Sequence, residues 1–192
     1  MSYLLKRILV KTLNPCAAIV NNLEALRRLW ANTRLNQALG GAVDASVVVL
    51  STPELHGSKQ ITLGKNLYLY RDLYLETQEQ GSIQIGNDVV LSRGVHLVAF
   101  ASIVIEDGVI IGEFSSIRDA NHRIVSEGSM RHSGHIGKPI TIHRNAWIGR
   151  GVTILGGVTI GEGAVIGANA VVTKSIPAGS VAVGIPARII KN

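Results

Sequence analysis

Residues 142–177 read IHRNAWIGRGVTILGGVTIGEGAVIGANAVVTKSIP. An apolar residue returns at every sixth position of this stretch, at Ile142, Ile148, Ile154, Ile160, Ile166 and Val172. A small or aliphatic residue stands two positions before each next repeat, at Ala146, Val152, Val158, Ala164, Ala170 and Ile176. The stretch is therefore a six-residue repeat, and a repeat this short has to be interpreted before any other fold assignment is made.

A period of six matches neither a helix nor a plain strand, whose apolar residues recur every three to four or every two positions. It matches a short strand followed by a tight corner, with the repeated side chain pointing inward. Glycine after the repeat, as at Gly149, Gly161 and Gly167, suits positive φ or close backbone approach at a corner. Stacked turns would pair backbone N–H and C=O groups between layers about 4.8 Å apart. The pattern predicts a solenoid, a parallel β-helix.

The period also continues upstream of residue 142. Further repeats occur at Leu63, Leu69, Leu75, Ile85, Leu91, Leu97, Ile105, Ile111 and Ile117. Grouped in threes, all the repeats predict three-faced turns over residues 63–80, 85–102, 105–122, 142–159 and 160–177. The long insertion 123–141 interrupts this series, and long excursions from a rigid scaffold are usually functional. We therefore look for chemistry at the edge of this loop.

Residues 2–39 differ from the rest of the chain, because apolar residues at helical spacing are interspersed with Lys6, Arg7 and Lys11. No apolar run approaches the roughly 20 residues of a membrane span, and Lys11 interrupts a signal-peptide pattern. One interpretation is a helical cap over the open end of the solenoid. The other is a basic amphipathic segment in peripheral contact with an anionic membrane surface.

The predicted fold is mainly β, a parallel β-helix with an N-terminal helical extension. Residues 1–40 are expected to form the helical cap, residues 41–177 the solenoid with its inserted loop 123–141, and residues 178–192 a C-terminal tail. The single cysteine, Cys16, excludes an internal disulfide framework and fits a reducing, cytoplasmic compartment, which includes the inner face of the membrane.

The net charge of +6 raises the question of nucleic acid as a partner. Aromatic residues for base stacking are scarce and the positive charges are dispersed along the chain, so no nucleic-acid partner is expected. An anionic cofactor and a glycan or lipid carrier account for the charge equally well.

The turn 105–122 ends with Asp119, Ala120, Asn121 and His122, directly before the loop. The repeat places Asn121 at an inward position, where a polar group must be hydrogen-bonded, and His122 outward. An imidazole at such a rim is suited to take a proton from a hydroxyl. The spacing alone is equally compatible with a surface histidine that has no catalytic role, beside a turn capped by Asn121. The histidines near the loop, His132, His135 and His143, also permit a metal site.

Several motifs are shared with one family. They are Asp119-x-Asn121-His122, Pro139-Ile140-x-Ile142, Ala146-Trp147-Ile148-Gly149, Val172-Thr173-Lys174-x-Ile176-Pro177 and Gly184-x-Pro186-Ala187-Arg188. With these motifs the chain resembles the hexapeptide-repeat acyltransferases of left-handed β-helix fold, in the branch of the galactoside and maltose O-acetyltransferases. It is most similar to the polysaccharide and lipopolysaccharide O-acetyltransferases. The resemblance implies the left hand of the helix, a homotrimer with active sites between subunits, and acetyl-CoA as co-substrate without a required metal.

The resemblance also implies roles for individual residues. His122 would be the general base that activates a sugar hydroxyl for direct attack on the thioester. Asn121 would orient that hydroxyl, Asp119 would orient the imidazole or hold the loop, and the neighbourhood of Gly149 would donate an N–H to the oxyanion. Along the cofactor, Trp147 would line the pantetheine arm and Ala168 and Thr173 would provide small positions. Lys174, Arg188 and Lys191 would meet the phosphates.

Three other functions remain open from the sequence. The acceptor could be an amine of an amino sugar or nucleotide-sugar rather than a hydroxyl. A metal-dependent hydratase similar to the γ-type carbonic anhydrases needs converging histidines, and His122 lacks one in the preceding turn, where residue 104 is valine. A non-catalytic scaffold would not bind acetyl-CoA. The pattern assigns no role to the loop histidines His132 and His135 and does not identify the acceptor.

Overall fold

The computed structural model describes residues 3–57 and 60–191, without the side chains of residues 18, 19, 21 and 22. Residues 1–2, at the start of the predicted cap, and residue 192, at the end of the predicted tail, lie outside the described residues. The chain begins with one helix, α1 (Tyr3–Leu39), which contains Pro15. Short strands follow, and they wind into stacked three-faced turns.

The strands before the long loop share a regular order, with one strand on each face of a turn. They are β1 (Val48–Val49), β2 (Glu54–Gly57), β3 (Ile61–Leu63), β4 (Tyr68–Leu69), β5 (Tyr74–Thr77), β6 (Ser82–Ile85), β7 (Val90–Leu91), β8 (His96–Ala99), β9 (Ser102–Ile105), β10 (Ile110–Ile111) and β11 (Ser116–Arg118).

The loop contains a hairpin and a short 3-10 helix, and the turns then resume. The hairpin is β12 (Ala120–His122) and β13 (His135–Gly137), with the 3-10 helix Met130–His132 between them. The later strands are β14 (Ile140–Ile142), β15 (Trp147–Ile148), β16 (Thr153–Leu155), β17 (Thr159–Ile160), β18 (Val165–Ile166), β19 (Val171–Val172), β20 (Val181–Val183) and β21 (Arg188–Lys191).

Three parallel sheets form the three faces of the solenoid. Within the described residues, face A holds β1, β4, β7, β10, β15, β18 and β20 in order, with β21 added antiparallel to β20. Face B holds β2, β5, β8, β11, β16 and β19, and face C holds β3, β6, β9, β14 and β17. The strands of each face pair in register from layer to layer, as in Ile105 with Ile142 and Ile142 with Ile160. The predicted parallel β-helix with an N-terminal helical extension is confirmed.

The repeated apolar residues form one narrow core inside the prism. Ile117, Ile142, Ile148, Ile154 and Ile160 are completely buried there. The smaller positions between them are buried as well, as the sequence pattern predicts: Ala146, Val152, Val158, Ala164 and Ala170. Each layer is therefore filled by side chains from all three faces.

Glycine after the repeat is needed because the layers approach closely, and positive φ occurs at other positions. A Cβ at Gly149 would lie 2.8 Å from the backbone nitrogen of Ala168 and from the carbonyl oxygen of Ile166. Positive φ falls two residues later, at Gly151 and Gly163, and in other turns at Asn145 and Asn169. Asparagine is, after glycine, the residue that best tolerates this left-handed region.

Helix α1 contacts the solenoid through its C-terminal part. Ala31 and Leu35 are buried in the core cluster beside the first turn. The carboxylate of Glu24 forms an ion pair with the guanidinium of Arg71, with a nitrogen–oxygen distance of 2.9 Å. Further toward the N-terminus the large apolar side chains are exposed, including Leu4, Leu9 and Leu13. Within residues 3–57 and 60–191, no helix has the length and apolarity that a membrane span requires.

We predict that Ile117→Ala lowers the free energy of unfolding by about 2–5 kcal/mol, because it leaves a cavity in a closely packed layer. The measurement is urea denaturation followed by circular dichroism. Ile124→Ala is the matched control, since Ile124 lies in the loop with 91% of its surface exposed. Equal losses in the two variants would contradict the assignment of Ile117 to the core.

Candidate active site

The long loop leaves the solenoid at Asp119, and hydrogen bonds of Asp119 attach the loop to the solenoid. One carboxylate oxygen of Asp119 accepts the N–H of Phe100 and the other accepts the N–H of Ala101, each at 2.8 Å. The backbone carbonyl of Asp119 accepts the N–H of Lys138 at 2.7 Å, where the loop returns. Burial raises the pKa of Asp119, and the three backbone N–H groups of Phe100, Ala101 and Ser102 oppose this rise. The carboxylate thus anchors the loop, and its described hydrogen bonds do not include His122.

Asn121 does not point into the core, and the prediction that it occupies an inward position is wrong. The repeat ends at Ile117, because after Arg118 the chain turns out of the prism to form the β12–β13 hairpin. Ala120 fills a buried position beside the core, whereas Asn121 is exposed opposite Ile136. The side chain of Asn121 is therefore available at the surface beside His122.

His122 lies at the rim of the hairpin, with its imidazole against that of His135. The two residues are direct partners in the antiparallel pair, and their ring centroids are 4.2 Å apart. The ring of Phe100 also contacts His135, with centroids 4.3 Å apart. His122 is exposed, so its contact with the His135 ring leaves the imidazole accessible from solvent.

Burial and neighbouring side chains disfavour protonation of His135. Burial is the largest cause, and the nearby His122 and Arg118 add to it, so the pKa of His135 falls below its usual value. The guanidinium of Arg118 lies 5.8 Å from the centroid of the Phe100 ring and donates through Nε to the carbonyl oxygen of Ala120 at 3.3 Å. Protonation of the imidazole that faces His122 is thus disfavoured.

A groove of about 510 Å³ lies on face A, at the corner toward face B. It is lined by three residues predicted to bind the cofactor, Trp147, Gly149 and Ala168, and its walls also include Ile110, Glu113 and Arg150. Trp147 is 55% exposed, so its ring forms an accessible wall of the groove rather than part of the core. The lining of the groove is largely apolar, which suits an apolar ligand arm.

The N–H of Gly149 is already engaged, because it donates to the carbonyl oxygen of Ile166 at 2.8 Å in the layer above. The next residue, Arg150, is exposed at the groove. Among the described residues no acceptor is found for the N–H of Arg150. In the predicted neighbourhood of Gly149, the N–H that could face a ligand is thus the one at Arg150.

The remaining predicted cofactor residues lie elsewhere on the prism. Thr173 and Lys174 are exposed at the corner between faces B and C, which is also the corner where the His122 loop leaves. Arg188 and Lys191 lie at the two ends of β21, at the C-terminal edge of face A, and both are exposed. One chain therefore presents the predicted site on two corners, separated by the width of face B.

Some residues of the groove and of the His122 hairpin could be recognised from the sequence pattern, and others could not. Arg118 stands directly after the repeat position Ile117, where glycine is common, and it lies beside the His122 hairpin; Arg150 follows Gly149 and does not break the repeat in this way. His135 gave no such signal, because its contact with His122 depends on the pairing across the loop. Over residues 3–57 and 60–191, no group of three or more His, Cys, Asp or Glu side chains is arranged to hold a metal ion.

The chain is similar to known proteins in sequence and in fold. The family model described as bacterial transferase hexapeptide (six repeats) matches residues 139–174. The chain is 33% identical over 145 residues to WbbJ of Escherichia coli K12, named as a lipopolysaccharide biosynthesis O-acetyl transferase, covering 69% of this chain and 71% of WbbJ. It is 35% identical over 175 residues to Rv3034c of Mycobacterium tuberculosis, named as an acetyltransferase, covering 87% of this chain and 57% of that relative.

The chain thus spans little more than half the length of Rv3034c. Among solved structures, the hexapeptide-repeat acetyltransferase VCA0836 of Vibrio cholerae, in complex with acetyl coenzyme A, superposes with a TM-score of 0.56 at 25% identity. The superposition covers 89% of this chain and 88% of that one. With its repeat, its fold and its similarity to WbbJ, the chain belongs to the hexapeptide-repeat acyltransferase family.

Proposed function

We propose that this chain is an acetyltransferase that moves an acetyl group from acetyl-CoA to a hydroxyl of a glycan or lipid-linked saccharide. The observation that carries the proposal is the exposed imidazole of His122, held against His135 on a hairpin that Asp119 anchors. The similarity to WbbJ, an O-acetyl transferase by name, supports a hydroxyl acceptor, and the acetyl-CoA complex of VCA0836 supports the donor.

In this mechanism His122 is the general base. Its neutral imidazole removes the proton of the acceptor hydroxyl while the oxygen attacks the thioester carbonyl carbon, and no acyl-enzyme forms. The tetrahedral intermediate then expels the CoA thiolate, which takes the proton back from the imidazolium. The products are the acetyl ester and free CoA. Asn121, exposed next to His122, orients the acceptor hydroxyl, and Asp119 acts as a positioning residue through the loop.

The negative charge that develops on the thioester oxygen needs a preorganised donor. We assign this role to the backbone N–H of Arg150, because the N–H of Gly149 is used within the solenoid, whereas Arg150 lines the groove and its N–H has no acceptor among the described residues. Gly149 contributes instead by allowing the layers to approach closely at this corner.

The groove on face A fits the pantetheine arm of acetyl-CoA. Trp147 provides an apolar wall and Ala168 an unobstructed floor. The exposed cations Arg188 and Lys191 at the C-terminal edge of the same face are suited to the phosphates, since guanidinium and ammonium groups form charge-assisted hydrogen bonds with them. Thr173 and Lys174 would approach the cofactor from the other corner.

A complete site then requires two chains. His122, Thr173 and Lys174 share one corner of the prism, whereas Trp147 and Ala168 share another, so one chain cannot close the site around a single ligand. In a homotrimer the first corner of one subunit can face the second corner of its neighbour, which builds three equivalent sites by symmetry.

We predict that His122→Ala lowers acetyl transfer by a factor on the order of 10²–10⁴, the usual contribution of a general base. The assay follows release of free CoA thiol from acetyl-CoA with saccharide acceptors. His132→Ala is the matched control, because His132 is exposed on the same loop and should retain full activity. Normal turnover by a folded His122→Ala variant would refute the mechanism.

Hydroxyl and amino acceptors tested side by side distinguish O-acetylation from N-acetylation.

The intersubunit site predicts complementation between two inactive variants. Ala168→Glu should block the groove and repel the anionic cofactor, and His122→Ala removes the base. When the two variants are mixed and exchange subunits at random, about a quarter of the interfaces pair an intact His122 with an intact groove, so about a quarter of wild-type activity should return. If no activity returns after verified subunit exchange, one chain supplies both the His122 base and the groove of each site.

We propose further that the exposed N-terminal part of α1 contacts an anionic membrane surface, as at the inner face of the cytoplasmic membrane. Its apolar side chains Leu4, Ile8 and Leu9 are exposed beside Lys6 and Lys11.

We predict that the protein cosediments with phosphatidylserine vesicles and that the bound fraction falls as the salt concentration rises. Replacing Lys6, Arg7 and Lys11 by glutamine should weaken it, whereas the matched control Arg27→Gln/Arg28→Gln/Arg34→Gln should weaken it less. Equal effects would indicate nonspecific charge attraction.

A further inference from the structure

Face B carries a row of polar and aromatic side chains on its outer surface, extending from the His122 hairpin toward the N-terminal turns. We call this row the face B strip. It consists of Glu54, His56, Tyr74, Glu76, His96 and Arg118.

The strip follows from the strand register. Glu54, Tyr74 and His96 occupy one outward column in successive layers. His56, Glu76 and Arg118 belong to the column beside it, where the buried Val98 stands between Glu76 and Arg118. Arg118 is three layers from His56, which corresponds to about 14 Å at the usual layer spacing. The strip is therefore long enough for more than one sugar ring.

Ring contacts and short hydrogen bonds hold the strip in one conformation. Tyr74 stacks on His96 with centroids 4.1 Å apart and contacts His56 at 5.1 Å. The hydroxyl of Tyr74 donates to Glu76 at 2.7 Å, and the amide of Gln78 donates to the other carboxylate oxygen at 2.7 Å. Because stacking occupies the ring faces, the strip presents ring edges, hydroxyl and carboxylate groups to a ligand. Such a preorganised row loses little entropy on binding.

The charges on the strip interact with one another. Burial raises the pKa of Glu76, but the hydrogen bonds from Gln78 and Tyr74 and the charge of Arg118 outweigh it, so the pKa lies below its usual value. The hydrogen bond to Glu76 raises the pKa of Tyr74, which stays a neutral donor. Burial and Arg118 lower the pKa of His96. The strip thus combines two carboxyl groups and one guanidinium with the hydroxyl of Tyr74 and two imidazoles, of which His56 lies with Nε2 2.7 Å from a carboxylate oxygen of Glu54.

The strip is continuous with the hairpin that carries His122. Arg118 ends β11 and donates to the carbonyl of Ala120 in β12, and the Phe100 ring near its guanidinium packs against His135. An acceptor whose hydroxyl lies at His122 would therefore have its remaining sugar units directly above the strip.

We propose that the face B strip binds the acceptor as an uncharged saccharide chain of at least two to three units, with its reacting unit at His122. This inference rests on the proposed acetyl transfer and names its acceptor class. The hydroxyl groups of the chain exchange hydrogen bonds with the carboxylates of Glu54 and Glu76 and with the edges of His56 and His96. The strip holds two anions and one permanent cation, so it disfavours the diphosphate of a nucleotide-linked sugar.

The alternative role for the strip is structural, because cross-strand pairs of this kind also stabilise a sheet. If the role is structural, a substitution in the strip lowers the free energy of unfolding, or weakens subunit assembly where the strip packs against a neighbouring subunit. It then changes the turnover of all acceptors equally. A binding role makes the effect of each residue depend on acceptor length. Comparison of acceptor lengths therefore separates the two roles.

The experiment measures CoA release with gluco-, galacto- and rhamno-oligosaccharides of one to four units. In the series that is accepted, kcat/KM should rise about tenfold or more from one to three units, as expected for one or two added hydrogen bonds. Glu76→Ala should remove most of that rise without changing the KM for acetyl-CoA. His56→Ala, at the far end of the strip, should affect only the longer acceptors.

Gln84→Ala is the matched control, because Gln84 is exposed on face C and should leave every acceptor unaffected. Urea denaturation and light scattering of each variant verify the fold and the assembly. Equal kcat/KM for one and three units, with turnover still dependent on His122, would overturn this inference and leave the proposed function intact. Loss of assembly in Glu76→Ala would overturn it in favour of subunit packing. Failure of every saccharide would overturn both proposals.

Discussion

The backbone hydrogen bonds between successive layers are the interaction on which the rest of this structure depends. Each strand is only two to four residues long and would not be stable alone. In the stack, its N–H and C=O groups pair with the layers on both sides, and one inward apolar side chain per strand fills the narrow interior. The six-residue period follows from these two requirements, since every departure from it disturbs both the pairing and the core.

The active-site region arises where the chain leaves this pattern. After Ile117 the backbone must exit the prism without leaving its neighbouring layers unpaired. Asp119 accomplishes this, because its carboxylate accepts the N–H groups of Phe100 and Ala101 while its carbonyl binds the returning strand at Lys138. The hairpin that follows is thereby attached to a rigid scaffold at both ends. A catalytic imidazole needs such a fixed position, and the ring contact between His122 and His135 adds to it.

The two candidate regions differ in chemical character in a way that matches two substrates. The groove on face A is largely apolar and is lined by Trp147 and Ala168, and the cations Arg188 and Lys191 lie at the C-terminal edge of the same face. The face B strip is a hydrogen-bonding surface with almost balanced charge. Because these regions lie on different corners of one prism, the proposed transfer requires two copies of the prism to come together.

The sequence by itself determined the fold, because the inward positions repeat in a linear order that any stack must obey. Ile117, Ala146 and Ile154 are buried where the period places them, and the motif around His122 indicated the family. Tertiary structure alone decided the outward side of the molecule. Asn121 is exposed because the hairpin interrupts the repeat, and His135 reaches His122 through pairing across the loop. The face B strip joins Glu54, Tyr74 and His96, which are about twenty residues apart in sequence. Outward side chains have no periodic constraint, so only the stacking of layers brings them together.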